Sequence, residues 1–134
     1  MSEENAERVR LAFDSFTRGD MDALSEFIDP SFEVDDRIIP EASPSERGMD
    51  ALVANAAQVY EAFGEISWEP REVVDAGNRV LVRVHLSMQG QSTALPFEED
   101  LGHVYALNEK GKAVKLDIFR TWAEAREAAG LLLD

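Results

Sequence analysis

Five residues in the second half of the chain have the types needed for proton chemistry: Arg83, His85, His103, Tyr105 and Asp117. A carboxylate in apolar surroundings has a raised pKa, and a neighbouring Arg or His lowers it again. Such opposed pressures suit a general acid–base group working near neutral pH. Asp117 would take the proton, His85 or His103 would shuttle it or polarise a carbonyl, and Tyr105 would donate a hydrogen bond to an enolate oxygen. The chemistry in view is proton abstraction beside a carbonyl, as in isomerisation, aldol-type cyclisation or dehydration. Each residue also has a structural role open to it: Asp117 as an ion-pair partner of Arg83, His103 as a core histidine, Tyr105 as a wall. His85, His103 and Asp117 could also hold a metal. No His-x-His or Glu-x-x-His spacing supports that, so neither a metal nor another cofactor is expected.

The elements that must position these groups can be read from periodicity. Residues 4–17 carry Val9, Ala12, Phe13 and Phe16 at the spacing of one helix face. Gly19 ends that helix, Asp20 caps a shorter one with Leu24, Phe27 and Ile28 inward, and Pro30 stops it. Phe32 to Asp36 alternates apolar and acidic residues, as a short strand does. Residues 37–48, with two prolines, read as a loop at a rim or lid. A third helix spans about 50–63, with Leu52, Ala56, Val59, Tyr60 and Phe63 as its apolar set. Strands follow at 67–75, 79–89, 95–107 and 113–120, joined by tight turns at 75–78 and 108–111. Thr121-Trp122-Ala123-Glu124 is a capping box that opens a last helix. Trp68 and Trp122 read as packing residues. Helices first and strands after make an α+β layout, one domain over 1–134, with helices on one face of a mainly antiparallel sheet.

Composition bounds the function. The 134 residues carry 13 Lys+Arg against 27 Asp+Glu, a net charge of -14, with no Cys. The missing Cys excludes a disulfide framework, a thiol nucleophile and thiolate metal sites. The negative charge argues against partnership with nucleic acid or an anionic membrane. No apolar run reaches the ~20 residues that span a bilayer, and the acidic start is unlike a secretory signal. A cytoplasmic location is expected.

The sheet has two faces, and their assignment decides the site. Val80, Val82, Val84, Leu86 and Met88 alternate with Leu81, Arg83, His85, Ser87 and Gln89; Val114, Leu116 and Ile118 alternate with Lys115, Asp117 and Phe119. In the strand between them, Gly102, Val104 and Ala106 alternate with Leu101, His103, Tyr105 and Leu107. In one reading the aliphatic face packs on the helices and the His/Arg/Asp face is solvated. In the other, the mixed face lines a pocket under the helices, and a second copy covers the aliphatic face, Val82, Val84, Leu86, Val104, Leu116 and Ile118. Tyr105, Phe119, Leu101 and Leu107 beside the polar groups favour the second.

Three segments carry a resemblance: the run from Glu72 to Val84 around Asp75-Ala76-Gly77-Asn78, the stretch His103 to Leu107 followed by Gly111 to Val114, and the ending Ala123 to Leu131. Together with the order of elements, they resemble the nuclear transport factor 2-like cone fold, and within it the SnoaL-like, polyketide cyclase-like group of bacterial proteins. The resemblance implies a pocket on the concave face of the sheet, and the aliphatic face left to be covered implies a homodimer. Its relatives imply site residues. Arg83 and Asp117 match the Arg and last-strand Asp of limonene-epoxide hydrolases, but His85 stands where their central-strand Asp would be and leaves that relay incomplete. Asp36 lies where ketosteroid isomerases carry a base. SnoaL-type cyclases pair an acid–base Asp with a His, which here would be Asp117 with His85 or His103. The expectation is a pocket for a small organic molecule, lined also by Tyr105, Phe119, Leu101, Asp36, Tyr60 and Phe16. Either it is cyclase- or isomerase-like, or it is a non-catalytic binding or dimerisation module of the same fold.

Overall fold

In the computed structural model, Val9, Phe13 and Phe16 fall on one face of a helix because they recur every three or four residues; Val9 and Phe13 are buried, and Phe16 packs beside them. The structure describes residues 2–64, 66–88 and 97–130. The first helix, α1, is Ser2–Arg18 and the second, α2, is Met21–Phe27, whose cap is Asp20 accepting from the Ala23 amide. Strand β1 is Ile28–Asp36, followed by a 3-10 turn at Pro40–Ala42 and helix α3 at Met49–Phe63. Strands β2 (Ile66–Asp75), β3 (Arg79–Met88), β4 (Phe97–Leu107) and β5 (Ala113–Phe119) precede a short helix α4, Trp122–Ala128. The Thr121–Glu124 capping box at α4 forms as its spacing predicts. The expected strand start at Leu95 and Leu131 at the chain's end lie outside the described residues.

One boundary differs from expectation. Pro30 does not end α2; it lies inside β1, which starts at Ile28. β1 is an edge strand whose pairing is irregular between Ile28 and Glu33, the setting in which a residue without an amide hydrogen is tolerated.

The sheet order is β1-β5-β4-β3-β2. All neighbours are antiparallel except β1 and β5, which run parallel. Register partners share a face. Val80 pairs with Tyr105 and Tyr105 with Leu116; Val82 pairs with His103 and His103 with Ile118. These residues form the concave face, and its core includes Val9, Phe13, Leu24 and Ala51 of the helices. The opposite face carries Leu81, Val104 and Asp117 in one row and Arg83, Gly102 and Phe119 in the next. There α4 packs Ala125 and Trp122 onto Leu81, Val104 and Phe119. Gly102 permits this approach: a Cβ on it would overlap the Ala125 Cβ.

The aliphatic face is therefore not open to a second copy. Val82, Val84, Leu116 and Ile118 are covered by helices of the same chain, Leu86 is buried, and Val104 lies on the other face beneath α4. The reason is the register of β3 with β4. It sets the valines, rather than Arg83 and His85, on the side of His103 and Tyr105. Among the described residues no helix is long and apolar enough to cross a membrane.

Candidate functional site

A cavity opens between the concave face and the helices. Its walls are Ala12, Phe13 and Phe16 of α1, Leu24 and Phe27 of α2, Leu52, Asn55 and Ala56 of α3, and Ile28, Trp68, His103, Tyr105, Leu116 and Ile118 of the sheet. The space open to the centres of water-sized atoms is about 60 Å³. A groove of about 260 Å³ measured the same way adjoins it and shares Phe16, Ala56 and Trp68, with Tyr60, Val59, Thr17, Ile66 and Ser67 as its other walls. The lining is apolar but for a few groups, the usual make-up of a small-molecule site.

His103 is the most unusual of those groups. It is 4% exposed, and neither Nδ1 nor Nε2 has a hydrogen-bond partner among the described residues. Around it stand Trp68 at 6.0 Å, Phe13 at 6.1 Å and Tyr105 at 6.1 Å between ring centroids. Burial among these rings disfavours the imidazolium and lowers the His103 pKa to about 3, so the ring is neutral at pH 7. A neutral imidazole offers one donor and one acceptor. Burial likewise pushes the Tyr105 hydroxyl up, which keeps it protonated as a donor.

Asp36 lies beneath the cavity wall as a clamp. Its Oδ1 accepts from the amides of Ile38 (3.0 Å) and Ile39 (2.9 Å), and its Oδ2 accepts from Asn55 Nδ2 at 3.0 Å. Its own amide donates to the Ser43 hydroxyl at 2.7 Å. Three of the carboxylate's roughly four acceptor sites are thus committed to holding the turn at residues 37–43 against α3.

The remaining sequence-derived candidates stand on the outer face. His85 Nδ1 lies 2.7 Å from Asp100 Oδ1, and Arg83 Nε donates to Asp100 Oδ2 at 3.0 Å. The bond from His85, with help from Arg83, holds the Asp100 carboxyl below the usual carboxylate range. Arg83 also reaches Glu72 at 3.6 Å. Asp117 pairs with neither Arg83 nor His85: its cations are Arg37 at 3.4 Å and Lys115 at 3.6 Å, and Arg37 also lies over the Phe119 ring. The expected convergence of five residues thus divides in two. His103 and Tyr105 meet at the cavity, with Phe16 on its wall and Tyr60 in the groove. Arg83, His85, Asp117 and Phe119 sit across the sheet, and Leu101 is buried opposite Val84.

Sequence reasoning missed Asn55 and gave Trp68 only a packing role. Asn55 did leave a signal. It occupies an inward position, three residues after Leu52 and one before Ala56, where a polar side chain must have a buried partner.

The SnoaL-like domain model matches residues 9–116. Among solved structures, an NTF2-like protein of unknown function from Burkholderia pseudomallei shares 20% identity over 95% of this chain and 97% of that one, with a TM-score of 0.72. TerC, co-crystallised with polyporic acid, shares 18% over 94% and 98%, at 0.73. A proposed polyketide cyclase from Sinorhizobium meliloti shares 23% over 88% and 98%, at 0.61. At such identities the likeness shows the fold. No curated protein matches the sequence.

Proposed function

The chain belongs to the SnoaL-like domain family, and on that footing we propose that it binds a small, mainly apolar organic molecule inside the cone and reads a carbonyl oxygen of that molecule with His103 and Tyr105. One observation carries this reading: an imidazole that is buried, lines the cavity and has no hydrogen-bond partner for either nitrogen among the described residues. Leaving a buried polar group unsatisfied costs about 1–3 kcal/mol. A ligand oxygen would recover that energy on binding, while the rings of Phe13, Phe27 and Trp68 would enclose the apolar body. TerC, a structural neighbour co-crystallised with polyporic acid, supports the use of this fold for an organic ligand.

The same pair gives the catalytic version its form. The His103 N–H and the Tyr105 hydroxyl would both donate to the oxygen on which enolate charge develops. Water or a basic group of the ligand would take the C–H proton, since a histidine whose pKa is lowered to about 3 is too weak a base for that step. Enolisation is the step shared by isomerases and cyclases, and the Sinorhizobium meliloti neighbour lends that version support. Among the described lining residues none is a carboxylate, which favours binding without turnover.

Titration with acetophenone and 1-tetralone, followed by the nitrogen resonances of the histidine side chains, tests the proposal. Signals of His103 should shift, those of His85 should not, and binding should fall at least tenfold in His103→Leu. Unchanged affinity in that variant, or shifts at His85 alone, would overturn it.

A further inference from the structure

Asn55 lies on the cavity wall, 5% exposed, with its amide nitrogen already committed. Nδ2 donates to Asp36 Oδ2 at 3.0 Å and to the Ala42 carbonyl at 3.0 Å. The Ala42 carbonyl can only accept, so turning the amide over would set oxygen against oxygen. Asp36 is itself fixed by the Ile38 and Ile39 amides, so the clamp leaves Asn55 one orientation. Its Oδ1 has no partner among the described residues.

We infer that Asn55 determines specificity: its Oδ1 presents the cavity with an acceptor that cannot become a donor, and so selects neutral ligands carrying a hydroxyl or N–H and excludes carboxylates. Asp36 is the positioning residue that enforces this choice. The wall supports the second half of the statement, because its described lining residues include no Lys or Arg to offset a ligand's negative charge. An anion entering there would lose its hydration without a counter-charge and would face the Asn55 oxygen as well. His103, neutral at pH 7, supplies no charge either. The matched ligand is thus a neutral hydroxylated or amino-substituted carbonyl compound, its carbonyl toward His103 and Tyr105 and its donor toward Asn55.

This inference rests on the cavity being the binding site, so the test holds the ketone constant and varies the other end. Calorimetric titration would compare 4-hydroxyacetophenone, 4-methoxyacetophenone and 4-acetylbenzoate. The hydroxyl compound should bind roughly tenfold or more tightly than the methyl ether, the effect of leaving a buried acceptor unpaired, and the carboxylate should bind more weakly still. In Asn55→Ala the preference for hydroxyl over methoxy should collapse to within twofold. Should that variant not fold, the Asn55 carbonyl carbon resonance of the unaltered protein serves instead: it should move with the hydroxyl compound and stay still with the ether. Equal binding of the hydroxyl and methoxy ketones overturns the role of Asn55 and leaves the cavity reading standing, as does tight binding of the carboxylate. If none of the three binds, the cavity reading fails and this inference with it.

Discussion

Val82 and His103 are register partners on β3 and β4, and that single pairing separates the two histidines. It places His103 on the face covered by the helices, and His85, three residues beyond Val82, on the other. A slip of one residue would have put both histidines on one face, because side chains alternate along a strand.

The outer cluster should be dispensable for binding. His85→Ala and Asp117→Asn are expected to leave the affinity for an aryl ketone within about twofold. Each should cost no more than about 1 kcal/mol in urea unfolding, as partly exposed ion pairs do. A tenfold loss of affinity in either would place the ligand across both faces and count against the cavity.

His103→Leu should stabilise the protein while abolishing recognition. It replaces an unpartnered buried polar ring with an apolar side chain of similar size, a gain of about 1–2 kcal/mol. The gain should grow in acid. The unfolded chain takes up the histidine proton below about pH 6.5, whereas the folded protein does so only near pH 3. Across that window the unfolded state binds more protons, so stability is lost as pH falls, by up to about 1.4 kcal/mol per pH unit from this residue. Chemical unfolding of both proteins between pH 7 and 4 gives the difference directly; parallel curves would show that His103 titrates normally.

Asp36→Ala removes the acceptor of three donors, the Ile38 and Ile39 amides and Asn55 Nδ2. A loss of about 3 kcal/mol or more is expected. Hydrogen exchange at the Ile38 and Ile39 amides should accelerate ahead of exchange in β3. If those amides stay protected, the clamp is not what holds the turn.

Gly102→Ala sets a methyl group against the Ala125 Cβ and 2.9 Å from the Thr121 carbonyl oxygen. The expected cost is about 1–3 kcal/mol of overpacking. Ala125→Gly should restore part of it in a double-mutant cycle, since the two positions touch. Additive losses would mean that α4 shifts freely on the sheet.

Much of the fold was legible because each element announces itself locally. The three-to-four spacing of Val9, Phe13 and Phe16 fixes a helix face, and the capping box at Thr121 fixes where α4 begins. The alternation of β3 and of β5 was equally plain. What local pattern does not contain is which alternating set of one strand lies beside which set of the next. That choice comes from the register of β3 with β4, and the residues between those strands, 89–96, hold Gly90, Ser92 and Pro96 but no two-residue turn signature that would set it. The site reading therefore found His103 and Tyr105 but joined them to Arg83, His85 and Asp117, which lie through the sheet from them. Asn55 escaped because its role depends on Asp36, nineteen residues earlier, and on the Ala42 carbonyl.

The parallel seam between β1 and β5 has a consequence for how the molecule is made. Val34 lies beside Leu116, and Asp36 beside Ile118. Among the described strands, the earliest in the chain therefore pairs only with the last to be synthesised. Until then β1 can rest on α3 but has no ladder to join, and a large loop must close before its backbone is paired, a topology that slows folding. His103 and Ile118 face each other across the adjoining pair of strands. The binding wall is thus completed at the same late moment, and an unfinished chain carries its histidine with no cavity around it.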